Sequence, residues 1–224
     1  QIFRQASQFD SEHPGETEGG GDAFTEAIKQ LSVLRKDADF RNFVVVRSLA
    51  IGSGLSSPFL ISLAHGDLGG TAFWLGMFIL VDGLAAMLSS PILGKFADQS
   101  SRRLLRQAML ASGCLIVLVI GYSLLSGPLV PPTVFFPAAF FILGIIHSAV
   151  RLGRKTYLVD MAEGNQRTTY VAVSNTLIGI VLLATGALTG LLALVSVQLA
   201  LGVFALCAFG GALLGSRLPE VSDS

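Results

Sequence analysis

TAFWLGMFILVDGLAAMLSSPILG, residues 71–94, runs into the polar string KFADQSSRR, residues 95–103, and then into a second apolar run, residues 105–126. The first run carries a single charge, Asp82. At a rise of ~1.5 Å per residue, ~20 apolar residues in a helix cross a hydrocarbon core of ~30 Å. In lipid every backbone N–H and C=O must be satisfied within its own segment, so each run is expected to be an α-helix. The apolar/polar alternation of a membrane β-barrel is absent. Two oily runs joined by a short basic bend read as a helical hairpin.

Four further runs of the same kind lie at 42–64, 132–152, 168–190 and 195–215, joined by short connections. Composition agrees. Of 224 residues, 52% are hydrophobic and only 13% charged, and the mean hydropathy is +0.68. A soluble domain carries about 25% charged residues. This excludes a disordered chain, an ordinary soluble enzyme and a nucleic-acid partner, and the net charge of zero gives no global field to attract an anionic polymer. The expected fold class is all-α, a polytopic integral membrane protein with six transmembrane helices and the lipid bilayer as its solvent. Cys114 and Cys207 sit in apolar runs without metal-ligand spacing and read as packing residues.

The basic residues are unevenly placed. Arg35, Lys36, Arg41 and Arg47 precede or enter the first run. Lys95, Arg102, Arg103 and Arg106 follow the second, Arg151, Arg154, Lys155 and Arg167 the fourth, and Arg217 the sixth. The connections near 65–70, 127–131 and 191–194 hold no Lys or Arg. The positive-inside rule then places both termini in the cytoplasm; the expected location is the plasma (inner) membrane. The expected organisation is a flexible acidic linker over 1–22 and an amphipathic helix over 23–40, with Phe24, Ala27, Ile28, Leu31 and Leu34 on one face. A six-helix bundle over 41–217 and a cytoplasmic tail over 218–224 complete it. There is no signal-peptide pattern, and a start at Gln1 is expected to belong to a longer protein.

The second connection, Gly94-Lys95-Phe96-Ala97-Asp98-Gln99-Ser100-Ser101-Arg102-Arg103, resembles the G-x-L-A-D-x-x-G-R-R loop motif of the major facilitator superfamily, with Phe96 for Leu and Ser101 for Gly. Arg151-x-x-Arg154-Lys155-x-Tyr157-x-x-Asp160, followed by Arg167 and Asn175, is similar to that family's fourth-to-fifth connection. The resemblance covers about 38–218. It implies half of a twelve-helix fold, here the C-terminal six helices, with an N-terminal six-helix half of the same protein as partner. It implies secondary active transport of a small solute by alternating access about a site near the bilayer midplane. The first, second, fourth and fifth helices would form the cavity wall. Gly94, Asp98, Arg102, Arg103, Arg151, Arg154, Asp160 and Arg167 would form a cytoplasmic gate.

Asp82 stands out without any resemblance. A charge at the bilayer centre costs at least ~2.5 kcal/mol on insertion scales, so it is expected to face the bundle interior or to be protonated. It is a candidate for proton coupling or for binding a cationic group. His147 shares a helix face with Arg151 at i, i+4, and with Asn175 completes the substrate or coupling candidates. Asp98, beside Arg102 and Arg103, is placed to accept N–H bonds at a neighbouring helix N-terminus or to pair with Arg151 or Arg154. Phe135, Phe136, Phe140 and Phe141 read as a packing or lipid-facing stripe, and Gly186-x-x-x-Gly190 and Gly211-x-x-x-Gly215 as helix-packing pairs.

Enzyme readings fail on spacing. There is no H-E-x-x-H, one deep carboxylate cannot make a dyad, no nucleophile motif surrounds Ser53 or Ser56, and no Gly-rich phosphate loop is present. No metal, cofactor or catalytic residue is expected. The alternative reading is a non-transporting membrane partner or sensor, or a self-associating half-length protein, with the same fold.

Overall fold

The computed structural model describes residues 33–125, 130–162 and 166–222. The expected linker over 1–22 and most of the amphipathic helix over 23–40 lie outside the described residues. The chain divides into two units, Gln1–Lys36 and Asp37–Ser224. Of the first, one helical turn, Val33–Lys36, is described.

The elements of the second unit are all helices: α1 Ala38–Leu49, α2 Gly52–Leu68, α3 Ala72–Gln99, α4 Ser101–Leu124, α5 Pro132–Met161, α6 Gln166–Val195 and α7 Val197–Gly215, with no strand among the described residues. Six segments are long and apolar enough to cross a membrane: Ala38–Leu68, which joins α1 and α2, then α3, α4, α5, Arg167–Val195 of α6, and α7. This is an integral membrane protein. The helices outrun the apolar stretches that announce them. α3 continues through Lys95 to Gln99, and α5 through Arg151 to Met161. Apolar length reports the lipid-buried part, whereas Lys, Arg and Gln are good helix formers that carry the helix beyond it.

α1 starts at an N-cap. Asp37 has extended backbone, and its Oδ1 accepts the Phe40 N–H at 2.9 Å. Its Oδ2 accepts the Tyr170 hydroxyl at 2.5 Å, tying α1 to α6. Burial pushes the Asp37 carboxyl up, but the bonds from Phe40, Tyr170 and Asp39 outweigh it and hold the group below the ordinary aspartate range. Because the folded value is the lower one, the stabilisation is complete above the unfolded value and is lost as pH falls through the folded value. Asp37→Ala is expected to cost about 1 kcal/mol at neutral pH. The difference from wild type should vanish in strong acid. Melting midpoints of the two proteins across an acid series check this, and a gap that widens on acidification would refute it.

α4 packs between α5 and α7, α3 lies along α5, α1 and α2 pack on α7, and α6 touches chiefly α7 and α1. Between membrane helices there is no hydrophobic drive, so close packing and small residues decide. A Cβ on Gly153 of α5 would stand 3.1 Å from the Leu105 backbone N of α4, and one on Gly211 of α7 would meet Met109 and Leu49. Gly211-x-x-x-Gly215 therefore packs as expected. Gly186 and Gly190 have nothing within 4 Å among the described residues, so the expectation for that pair is corrected. Spacing alone does not say which helix face meets a neighbour. Phe136 and Phe140 are buried, Phe140 stacks on Phe78 at 4.3 Å, and Phe135 stacks on Tyr122 at 3.6 Å, so these aromatics pack helices together.

The first span is interrupted at Ala50–Ile51. There the Ile51 N–H reaches back three residues, to the Ser48 carbonyl at 3.2 Å, and the Ser53 hydroxyl donates to the Ala50 carbonyl. Gly52 and Gly54 follow. A Cβ on Gly52 would lie 3.2 Å from the Phe204 ring, and one on Gly54 3.0 Å from His147 Cε1. The break thus lets α2 approach both α7 and the α5 histidine.

Candidate functional site

Two groups of polar side chains are built on this frame. The first lies part-way along the spans, at the α1–α6 and α3–α5 seams. Arg47 of α1 reaches α6, where its Nη1 donates to Ser174 Oγ at 2.5 Å and its Nη2 to Asn175 Oδ1 at 2.7 Å. Arg154 of α5 lies close enough for its charge to act on Arg47. Arg151, Arg154 and Asp82 all act on His147. Counting from the helix ends that carry the other basic residues, at ~1.5 Å per residue, Arg47, Arg151 and Asn175 sit roughly 12–15 Å in, and His147 and Asp82 roughly 20–25 Å in. The two layers, together termed the polar column, come from the first, second, fourth and fifth spans, with Arg47 bonded across to α6 and Asp82 set against α5.

Asp82 is exposed on α3 at its seam with α5. A Cβ on Gly144 would stand 2.8 Å from Asp82 Oδ1, so the carboxylate lies against bare α5 backbone, one helical turn from His147. The expectation of a carboxylate facing its own bundle is met only at this seam; the rest of the group opens onto the accessible face. Arg47 was legible in the sequence only as a topology marker. The signal that it belongs to the site is its position inside the 42–64 run, where a guanidinium needs partners. Ser174 had no signal, since serine is common in membrane helices.

The second group closes the basic end. The stretch Gly94–Arg103 is not a loop. Gly94–Gln99 end α3, Ser100 alone makes the turn in extended backbone (φ −166°), and Ser101–Arg103 open α4. Ser100 caps α4 by accepting the Arg103 N–H at 3.1 Å and donates its hydroxyl to Glu220 Oε2 at 2.8 Å. Arg102 Nε lies 3.3 Å from the same oxygen, and Arg102 Nη1 donates to the Leu218 carbonyl at 2.8 Å. Ser101 N–H donates to Ser222 Oγ, Ser101 Oγ to Asp160 Oδ2 at 3.4 Å, and Tyr157 hydroxyl to the Pro219 carbonyl at 3.1 Å. Carboxylates thus gather at the α4 N-terminus, where the helix dipole favours them.

The expected partners differ. Asp98 is exposed and, among the described residues, makes no hydrogen bond or ion pair; Asp160 and Glu220 take the place expected for it. The tail over 218–222 supplies Glu220, which apolar periodicity cannot foresee. Arg151, exposed, and Arg154, partly buried, form no ion pair with Asp98 or Asp160 among the described residues. Arg103 is exposed, Gly94 has open space around it, and Arg167 Nη2 donates to the Val159 carbonyl at 3.1 Å.

Leu218 is 2% exposed under this strap. Leu218→Asp is expected to cost about 2 kcal/mol, the lost burial of a leucine. Glu220→Gln removes an ion pair whose side chains are 28% and 22% exposed, and should cost about 1 kcal/mol. Thermal unfolding of the two variants checks the order, and a larger loss for Glu220→Gln would refute it.

No protein-family model matches the chain, and no curated protein and no solved structure matches it.

Proposed function

We propose that the chain is the C-terminal six-helix half of a secondary active transporter of the major facilitator type, moving a small solute by alternating access with both termini cytoplasmic. One observation carries the reading. Arg47, Asp82, His147, Arg151, Arg154 and Asn175 converge from four separate spans of an otherwise apolar bundle. Polar groups inside a membrane are costly to hold there, and a function explains why several share one column. The Gly94–Arg103 stretch supports the family reading by its residues.

The exposed faces support a partner. Only 17% of the α3 window and 6% of the α6 window is buried within this chain. A second six-helix half placed over the polar column would enclose it as a solute cavity and cover part of both helices. The solute gradient or an ion gradient supplies the energy, and no covalent bond is made or broken. The basic end, held by Glu220, Asp160 and Arg102, is the cytoplasmic gate.

The test is uptake. The complete protein in sealed liposomes, with an imposed pH or solute gradient, should accumulate a solute inside, and Arg47→Gln should stop it. Absence of uptake for every class of small solute offered, with the protein shown to be folded, would leave a non-transporting membrane partner as the reading.

A further inference from the structure

His147, Arg151 and Arg154 stand at i, i+4 and i+7 on α5, and Arg47 of α1 stands one turn from Phe43, whose ring stacks at 4.9 Å on Tyr157, one turn from Arg154. Among the described residues Asp82 is the one carboxylate as far from a span end as this group, and it lies against Gly144, one turn from His147. Three arginines against one aspartate leave two positive charges uncompensated before any proton on His147. The partners that Arg47 does have, Ser174 Oγ and Asn175 Oδ1, are neutral acceptors that orient the guanidinium without neutralising it.

Three polar atoms of the cluster, Arg47 Nε, Arg154 Nε and His147 Nδ1, are buried without a hydrogen-bond partner among the described residues. Of the acids at the basic end, Asp160 is engaged by Ser101 and Glu220 by Ser100 and Arg102, while Asp98 is exposed at the end of α3. Part-buried cations such as Arg47 and Arg154 are unfavourable without a counter-charge, and their orphaned donors add to the cost. An oxyanion removes both problems at once. Its oxygens accept from several guanidinium N–H groups in the planar, charge-assisted geometry that arginine favours. A cationic solute drawn to Asp82 would enter the field of the arginines instead.

We infer that the Arg47–His147–Arg151–Arg154 cluster binds a small solute through a carboxylate or phosphate group. The inference rests on the transport reading and names the class of solute for that same site. It also gives Asp82 a role: as the lone negative charge beside the cluster, it opposes the anion when ionised and admits it when protonated.

The binding test uses the complete protein in nanodiscs of zwitterionic phosphatidylcholine, so that no anionic headgroup competes. Succinate and inorganic phosphate represent the two sources of the oxyanion; tetraphenylphosphonium and glucose represent the excluded classes. Succinate or phosphate should raise the melting midpoint saturably, with chloride at equal ionic strength without effect. Arg154→Gln and Arg151→Gln should each weaken that response at least tenfold. Arg151 is exposed and makes no hydrogen bond among the described residues, so its replacement tests charge without disturbing packing. Asp82→Asn should tighten oxyanion binding.

No saturable response to either oxyanion, unchanged affinity in both arginine variants, or binding of tetraphenylphosphonium lost in Asp82→Asn would overturn the inference. Uptake separates the two proposals. Gradient-driven accumulation of a cation or sugar keeps the transporter and sinks the oxyanion site, while tight oxyanion binding without uptake does the reverse.

Discussion

Asp82→Asn is expected to abolish gradient-driven accumulation, by tenfold or more, while leaving the protein folded and solute exchange across the membrane intact. Asp82 is the one acidic residue far from any helix end in the described spans. Its carboxylate lies against Gly144 and acts on His147, with Arg151 and Arg154 acting on that same imidazole. On the proposed transport reading, a neutral group at position 82 would favour the anion, so proton and anion would favour each other's binding and that mutual preference would be the coupling. Asparagine is fixed in the neutral form. It binds the anion but carries no proton, so a proton gradient has nothing to act on. Its small size and polarity suit the exposed seam, so packing is preserved. Proteoliposomes with an imposed pH gradient measure accumulation, and counterflow measures exchange in the same preparation. Accumulation equal to wild type would rule out Asp82 as the coupling residue.

Gly153→Val is expected to be the most destabilising single change in the bundle, at about 3 kcal/mol. Gly153 is fully buried where α5 crosses α4, and a Cβ there meets the Leu105 N at 3.1 Å and the Leu105 Cα at 3.2 Å. The obstacle is backbone, which cannot rotate aside as a side chain does. Alanine asks the helices to part by a few tenths of an ångström. Valine adds two methyl groups to the same contact, and its β-branch leaves few rotamers to escape through. Separation at this crossing also displaces Arg154, the next residue, from the polar column. Gly186→Ala is the control, since nothing lies within 4 Å of it; relief of glycine's helix penalty makes it neutral or stabilising. Melting midpoints in detergent should fall by several degrees for Gly153→Val and hold for Gly186→Ala. Equal midpoints would mean that this crossing does not bear on stability.

The six spans were legible because lipid imposes a single rule. Any segment in hydrocarbon must be apolar over ~20 residues and must satisfy its own backbone, so composition and length identify it. The interruption of the first span at Ala50–Ile51 was not legible, because glycines and serines are ordinary in membrane helices. The capped turn at Ser100 was hidden inside a stretch that reads as a loop. Asp82, His147 and Asn175 were visible as polar residues in apolar company, and the tertiary structure gathers them with Arg47 and Ser174 in one column.

Pairing was not legible at all. Asp98 and Asp160 look equivalent along the chain, yet only Asp160 faces Ser101. Arg151 and Arg154 look like loop charges, yet both stand on α5, one and two turns from His147. By itself the amino-acid order determined that this is a helical membrane protein, where its spans lie, and which residues are too polar for their surroundings, because transfer into lipid is priced residue by residue. Only the three-dimensional packing decided which charges share a site and which remain without a counter-charge. That depends on contacts between helices far apart in the chain, set by close steric fit at positions such as Gly54, Gly144 and Gly153, and no local pattern encodes it.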